Sequence, residues 1–225
     1  MELFGLAGRI QYTNVAADAS ESTIRKHCTV AAANKFQAVM IQPCWIPLAQ
    51  EILRGTRVHI ATAVAFPLGG ETTAMKIALL REVIRLGADE VDFQPNIGYL
   101  KSGMPARFRA EIAALVEAAE GRPLKSMSEF GYLNEQERIL CITLAEEAGV
   151  AFVKNSSGVG PGGSAATVED IRFMKAHLSR ARIKASGKVR TYQQAIDLLD
   201  AGADLLGTSA APEIVRGRGS DRGGY

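Results

Sequence analysis

Apolar and polar positions run along the chain in two alternating rhythms. Short stretches rich in aliphatic and β-branched residues, at 9–13, 38–42, 59–66, 90–96, 124–129, 151–155, 182–186 and 204–208, have the length and composition of strands. Between them, at 20–35, 47–53, 72–86, 106–119, 135–148, 167–177, 192–200 and 211–215, apolar residues recur at the three-to-four spacing of helices. Eight strand–helix units predict a parallel sheet with helices outside it. Three helix-to-strand junctions repeat one phrase: Gly87-Ala88-Asp89, Gly149-Val150-Ala151 and Gly202-Ala203-Asp204. Each glycine stands where a helix end needs a left-handed residue. A doubly wound open sheet would give similar local signals, but no GxGxxG follows the first strand. Eight strands in 225 residues therefore predict a single α/β domain, a (β/α)8 TIM barrel over residues 1–215.

Composition narrows the class of function. Hydrophobic residues make up 47% and charged residues 22%, the balance of a globular domain. The longest apolar runs fall short of the ~20 residues that span a bilayer, and no leader opens the chain, so a cytoplasmic address without membrane attachment is expected. The 26 basic and 24 acidic side chains, net +2, are interspersed and form no stripe for a nucleic-acid backbone. Cys28, Cys44 and Cys141 are odd in number and lack CxxC spacing, so they read as buried free thiols, with no metal site. The polar, glycine-rich tail 216–225 reads as flexible, its terminal Tyr225 either disordered or folded over the pocket for proton transfer.

In a barrel, chemistry gathers at the C-terminal ends of the strands. There the sequence places Gln42, Asp92, Gln94, Asn96, Lys125, Glu129, Lys154, Asn155, Lys184, Ser186, Thr208 and Ser209. Charges inside strands are costly to bury unless paired, so Asp92, Lys125, Lys154 and Lys184 need one another or a substrate. Lys154 ends an apolar strand, and burial there favours the neutral, nucleophilic amine. Lys184 comes one unit later, where its ammonium can stand beside Lys154. Asp92 supplies the carboxylate for charge balance and proton relay. Lys125 reads either as an ion pair with Glu129 or Asp92 or as part of the site. The turns Ser186-Gly187-Lys188 and Gly207-Thr208-Ser209 follow the last two strands, where barrels commonly hold a phosphate. Residues 158–163 read as a mobile loop over the site or as a surface turn.

With these residues in place, the chain resembles the deoxyribose-phosphate aldolase family. The matching stretches, in family order, are Ala65-Phe66-Pro67-Leu68-Gly69 with Thr72-Thr73-Ala74-Met75-Lys76, then Gly87-Ala88-Asp89-Glu90-Val91-Asp92, Asn96-Ile97-Gly98, Leu100-Lys101-Ser102-Gly103, Phe152-Val153-Lys154, Lys184-Ala185-Ser186-Gly187 with Val189-Arg190-Thr191, and Gly207-Thr208-Ser209. The resemblance implies a Schiff base on Lys154, a Lys184 that perturbs it, and an Asp92 that shuttles protons through water. It further implies reversible cleavage of 2-deoxyribose 5-phosphate to acetaldehyde and glyceraldehyde 3-phosphate, with neither metal nor cofactor. The substrate contacts expected are Thr13, Asn96, Lys125, Ser156, Gly158, Ser186, Gly187, Lys188, Thr208 and Ser209. A homodimer or larger symmetric assembly is expected on general grounds.

Departures from the family pattern lie close to the site. Gln11-Tyr12-Thr13 stands for the usual Asp-His-Thr. Phe93-Gln94-Pro95 intervenes before Asn96, with Pro95 removing a strand donor. Asn155 and Ser157 stand for threonines, and Lys188 for a glycine, where it either lends a cation to the phosphate or caps the loop in solvent. A lysine-dependent barrel aldolase for another phosphorylated sugar, or a non-catalytic sugar-phosphate binder, remain rival readings. A panel of acceptor aldehydes separates the first, and borohydride trapping with acetaldehyde the second.

Overall fold

The structure, a computed structural model, describes residues 3–160 and 162–217. Eight parallel strands close into a barrel in chain order: β1 (Ile10–Asn14), β2 (Ala38–Ile41), β3 (His59–Val64), β4 (Glu90–Phe93), β5 (Leu124–Met127), β6 (Phe152–Lys154), β7 (Arg182–Ser186) and β8 (Leu205–Thr208). Closure is made where Gln11 of β1 pairs with Gly207 of β8. The helices are α1 (Leu3–Ala7), α2 (Glu21–Asn34), α3 (Ile46–Leu53), α4 (Thr73–Leu86), α5 (Ile97–Lys101), α6 (Pro105–Ala118), α7 (Glu135–Glu147), α8 (Val168–His177), α9 (Tyr192–Asp200) and α10 (Ala211–Val215). Five of them begin where a Ser, Thr or Asn side chain accepts a first-turn N–H: Ser20, Thr72, Asn134, Thr167 and Thr191. Such a cap satisfies a donor that the helix itself leaves without a partner.

The repeated glycine phrase does what its spacing predicts. Gly87, Gly149 and Gly202 have φ of 107°, 95° and 116°, and each turns the chain from a helix into the next strand. The aspartates of two of these phrases are also used, since Asp89 and Asp204 accept the N–H groups of Ile60 and Ile183 at 2.8 Å.

Period-two alternation sorts the strand side chains into two compartments. Val91, Phe93, Leu124, Val153, Ile183, Ala185 and Leu206 join the large apolar core, with helix residues such as Leu80, Ile112, Cys141 and Met174. The alternate residues point inward. On β2 and β3 they form a small apolar cluster of Ala38, Met40 and Ala61, while β4 to β7 contribute Glu90, Asp92, Lys125, Lys154, Lys184 and Ser186, all buried. One side of the barrel interior is thus apolar and the other charged.

Three strands stop two or three residues short of their predicted ends, at Val64, Phe93 and Met127. Beyond them the chain leaves the ladder to build loops, and Ala65 and Glu129 take left-handed φ of 54° and 47°. Pro95 consequently lies past the end of β4 and removes no ladder donor, contrary to expectation. The helices α1 and α5, and the 3-10 turns Pro43–Trp45 and Phe130–Tyr132, are too short to show a period in the sequence. Cys28 and Cys141 are buried free thiols as expected, but Cys44 is exposed in the first of those turns. No helix among the described residues is long and apolar enough to cross a membrane. Tyr225 and most of the predicted tail lie outside the described residues.

His27, on α2, is buried, stacks on Tyr12 at 3.7 Å and bonds the Tyr12 carbonyl at 3.0 Å. Burial lowers its pKa to about 4, with the Tyr12 carbonyl opposing. A base with a depressed folded-state pKa stabilises the fold above its unfolded value and loses that contribution as pH falls. The chain should therefore lose on the order of 3 kcal/mol through this one group between about pH 6.5 and 4. Replacing His27 by Phe should flatten the fall of Tm across that interval, as read by calorimetry; an unchanged slope would place the acid sensitivity elsewhere.

Candidate active site

At the C-terminal mouth of the barrel lies a cleft lined by residues of the strands and of the loops that follow them. Asp92 forms its floor. Its Oδ2 accepts from the Lys184 ammonium at 2.7 Å and from the Lys154 ammonium at 3.2 Å. Register explains the meeting: Asp92 pairs with Lys125 across β4 and β5, and Lys154 with Lys184 across β6 and β7. Asp92 Oδ1 is buried, receives no hydrogen bond among the described residues and faces Lys125 at 3.4 Å as its ion-pair partner.

The electrostatics follow from this crowding. Burial would raise the Asp92 carboxyl, but the Lys184, Lys154 and Lys125 charges overcome it and hold the group below the usual carboxylate range. For Lys184, burial pushes the ammonium down, Asp92 pulls it back up, and the Lys154 and Lys125 charges push it down again, to about 7. Both ammonium groups touch the same Asp92 oxygen, so the charge on each bears directly on the other, and Lys154 is the one on the cleft wall.

Below this group a second one fills the barrel. Glu90 pairs with Lys125 at 2.7 Å and with His59 at 2.7 Å, and accepts from Gln11 at 2.8 Å and Gln37 at 2.5 Å. Burial would raise Glu90 too, yet Lys125 together with these bonds holds it at about 2.

The upper wall is made by the loops after β6, β7 and β8. Gly158, Gly187, Lys188, Thr208 and Ser209 line it, with Ser186 and Thr13 lower down. At Gly187, with φ of 106°, a Cβ would sit 2.2 Å from the Ser164 carbonyl oxygen, so only glycine lets these loops close on each other. Lys188 is exposed and holds φ of 53°, uncommon for a residue with a side chain. Residues 158–163 fold back on themselves where described, Gly163 N–H bonding the Gly160 carbonyl.

Three expected substrate contacts are not on the cleft wall. Lys125 lies beneath it, held by Glu90 and Asp92 and not by Glu129. Ser156 is buried and accepts the Gly158 N–H at 3.0 Å, which shapes the turn. Asn96 gives its backbone N–H to Glu111, which is locked to Lys76 in a buried 2.8 Å ion pair between α4 and α6. Conversely, Ser157, Arg190 and the apolar Met40, Ala63, Phe66 and Met127 line the cleft without having been singled out. Of the two partners offered for Lys125, Asp92 is the one found; the Glu129 carboxylate instead accepts the Ser157 N–H, fixing the loop after Lys154. Burial raises its pKa, and the Ser157 bond opposes this only in part.

A (β/α)8 barrel with paired amines and a carboxylate at its C-terminal mouth defines an enzyme of the barrel class, equipped for carbonyl chemistry. The family model of the DeoC/LacD family aldolases matches residues 11–211. The chain belongs to this family, and is an aldolase and hence a lyase. A deoxyribose-phosphate aldolase of Dictyoglomus turgidum is 40% identical over 97% of this chain and 100% of its own length. One from Methanothermobacter thermautotrophicus is 39% identical over 94% of each. Among solved structures, the deoxyribose phosphate aldolase of Aeropyrum pernix, described as a tetramer, superposes with a TM-score of 0.88 at 24% identity, covering 96% of this chain and 91% of that one; it supports the fold alone.

Proposed function

We propose that the chain reversibly cleaves 2-deoxy-D-ribose 5-phosphate to acetaldehyde and D-glyceraldehyde 3-phosphate through a Schiff base on Lys154. The observation that carries this reading is that Lys154 reaches the cleft while sharing one Asp92 oxygen with Lys184. A neutral Lys154 amine adds to C1 of the open-chain sugar, and loss of water gives the imine. The protonated imine nitrogen draws in the electron pair of the C2–C3 bond as the C3 hydroxyl gives up its proton. Glyceraldehyde 3-phosphate leaves, and the remaining enamine is protonated at carbon and hydrolysed to acetaldehyde and free Lys154.

Each of these steps moves a proton. Asp92, ionised beside Lys184, is placed to accept one and pass it on, directly or through water. The phosphate fits the far wall, where Gly187 and Ser209 can offer a backbone N–H and a hydroxyl, Gly158 and Thr208 shape the wall with their own donors given to Ser156 Oγ and the Val189 carbonyl, and Lys188 and Arg190 add positive charge. Thr13 and Ser186 also line the cleft and can accept from the sugar hydroxyls, their own hydroxyl protons being given to the Gln11 and Gly207 carbonyls. A charged sugar phosphate as substrate agrees with a cytoplasmic enzyme. A homo-oligomer is supported by the exposed apolar Leu68, Met75 and Leu79 around the start of α4.

Borohydride reduction in the presence of 2-deoxyribose 5-phosphate should add one substrate-derived group per chain, on the peptide containing Lys154, as read by mass spectrometry. Unphosphorylated deoxyribose should need a concentration at least ~10-fold higher for the same labelling, because it lacks the charge-assisted contacts of the far wall. Labelling of a different lysine, or none, would overturn the reading.

A further inference from the structure

The residue that departs most visibly from the family pattern, Gln11, lies inside the site and not at its edge. It is fully buried, and its amide is used at both ends. Oε1 accepts from the Lys184 ammonium at 2.5 Å, while Nε2 donates to Glu90 Oε2 and to Gln37 Oε1, each at 2.8 Å. An amide has one accepting and one donating end, and these three bonds leave it a single orientation. Lys184 thus has two fixed partners, Asp92 above and Gln11 beside it, and its stem passes Gly207, where an added Cβ would sit 3.2 Å from the Lys184 Cε.

We propose that Gln11 is a positioning residue for the aldolase reaction: its amide, anchored by Glu90 and Gln37, aims the Lys184 ammonium at Asp92. The charged groups around Lys184 are Asp92 from β4, Lys125 from β5 and Lys154 from β6, with Glu90 reached through Gln11 itself and Glu129 behind Lys154. Three ammonium groups share Asp92, and only Lys125 has a further carboxylate partner, in Glu90. A glutamate in place of Gln11 would set a carboxyl oxygen where the amide nitrogen now lies 2.8 Å from Glu90 Oε2, so the two would have to share a proton and the anchoring of the side chain would change. An apolar side chain would leave the ammonium with Asp92 alone and free to swing. The amide avoids both, which makes Gln11 a fitted part of the site and not a lost carboxylate.

This inference rests on the Schiff-base reading above, and its test separates the two. The initial rate at which cyanoborohydride traps acetaldehyde on Lys154 would be followed against pH for the wild type and for Gln11→Met and Gln11→Asn. In Gln11→Met the alkaline limb should move to lower pH by about one unit, because the ammonium loses an acceptor. In Gln11→Asn, whose shorter side chain draws the amide away from the ammonium, it should move the same way. Turnover of 2-deoxyribose 5-phosphate should fall at least ~10-fold in both variants, with KM changed less than ~3-fold, since Gln11 does not line the phosphate wall. Profiles that keep their position, or losses that appear only in KM, would overturn the role of Gln11 while leaving the Schiff base intact. Absence of any Lys154 adduct in the wild type would instead overturn the underlying reading. Should Gln11→Met fail to fold, Gln11→Asn, which keeps the amide but not its reach, decides the matter by the same shift.

Discussion

Replacing Lys154 by leucine should lower the cleavage of 2-deoxyribose 5-phosphate by at least about 10⁴-fold, because no other amine can take over its covalent step. Lys184 is 1% exposed and held between Asp92 and Gln11, and Lys125 lies beneath the floor. Lys188, at the exposed rim, has no carboxylate beside it in the ion pairs of the described residues. The fold should survive the change, since Asp92 keeps its 2.7 Å bond to Lys184. A coupled assay for glyceraldehyde 3-phosphate, read with Tm, checks both statements. A loss of only 10-fold would mean that the imine forms elsewhere.

Asp92→Asn should have two large effects at once. Turnover should fall by about 10² to 10⁴, the usual contribution of a group that moves protons. Stability should fall by about 3–5 kcal/mol, because three buried ammonium groups would surround a neutral amide. The wild-type carboxyl is held below the usual range, so its contribution is complete above the ordinary carboxylate pKa and is lost only as pH falls through that region. The variant should therefore lie below the wild type at neutral pH, and the gap should narrow in strong acid. Urea unfolding at pH 7 and pH 3 measures this. Equal stability at pH 7 would show that the lysines find their balance without Asp92.

The barrel was legible because its signals repeat. Eight strands, the three glycine phrases and the strand charges each point to the same architecture, and Lys154, Lys184 and Asp92 emerged together because inward-facing charges stand out against aliphatic neighbours. What escaped is what sequence spacing does not encode. Lys125 and Glu129 both looked like members of one pair, but register sets Lys125 opposite Asp92 and within reach of Glu90, while Glu129 has left the ladder. Asn96 carried family resemblance, yet its backbone serves the Lys76–Glu111 pair outside the barrel. Gln11 read as a departure that weakened the assignment, since a hydrogen bond spanning 173 positions leaves no local trace. The apolar cleft residues were passed over because a Met or Phe in a strand reads first as core.

The division of the barrel interior separates two kinds of change. Charge lies along β4 to β7, while the opposite wall is made of Met40, Ala63 and their apolar neighbours. Exchanging one aliphatic side chain for another on that wall recontours the space offered to the aldehyde partner without touching the ions that run the reaction. New acceptors can thus be admitted, or old ones turned away, by mutations that never enter the proton circuit, which gives this scaffold a built-in handle for redirecting which carbon–carbon bonds it makes.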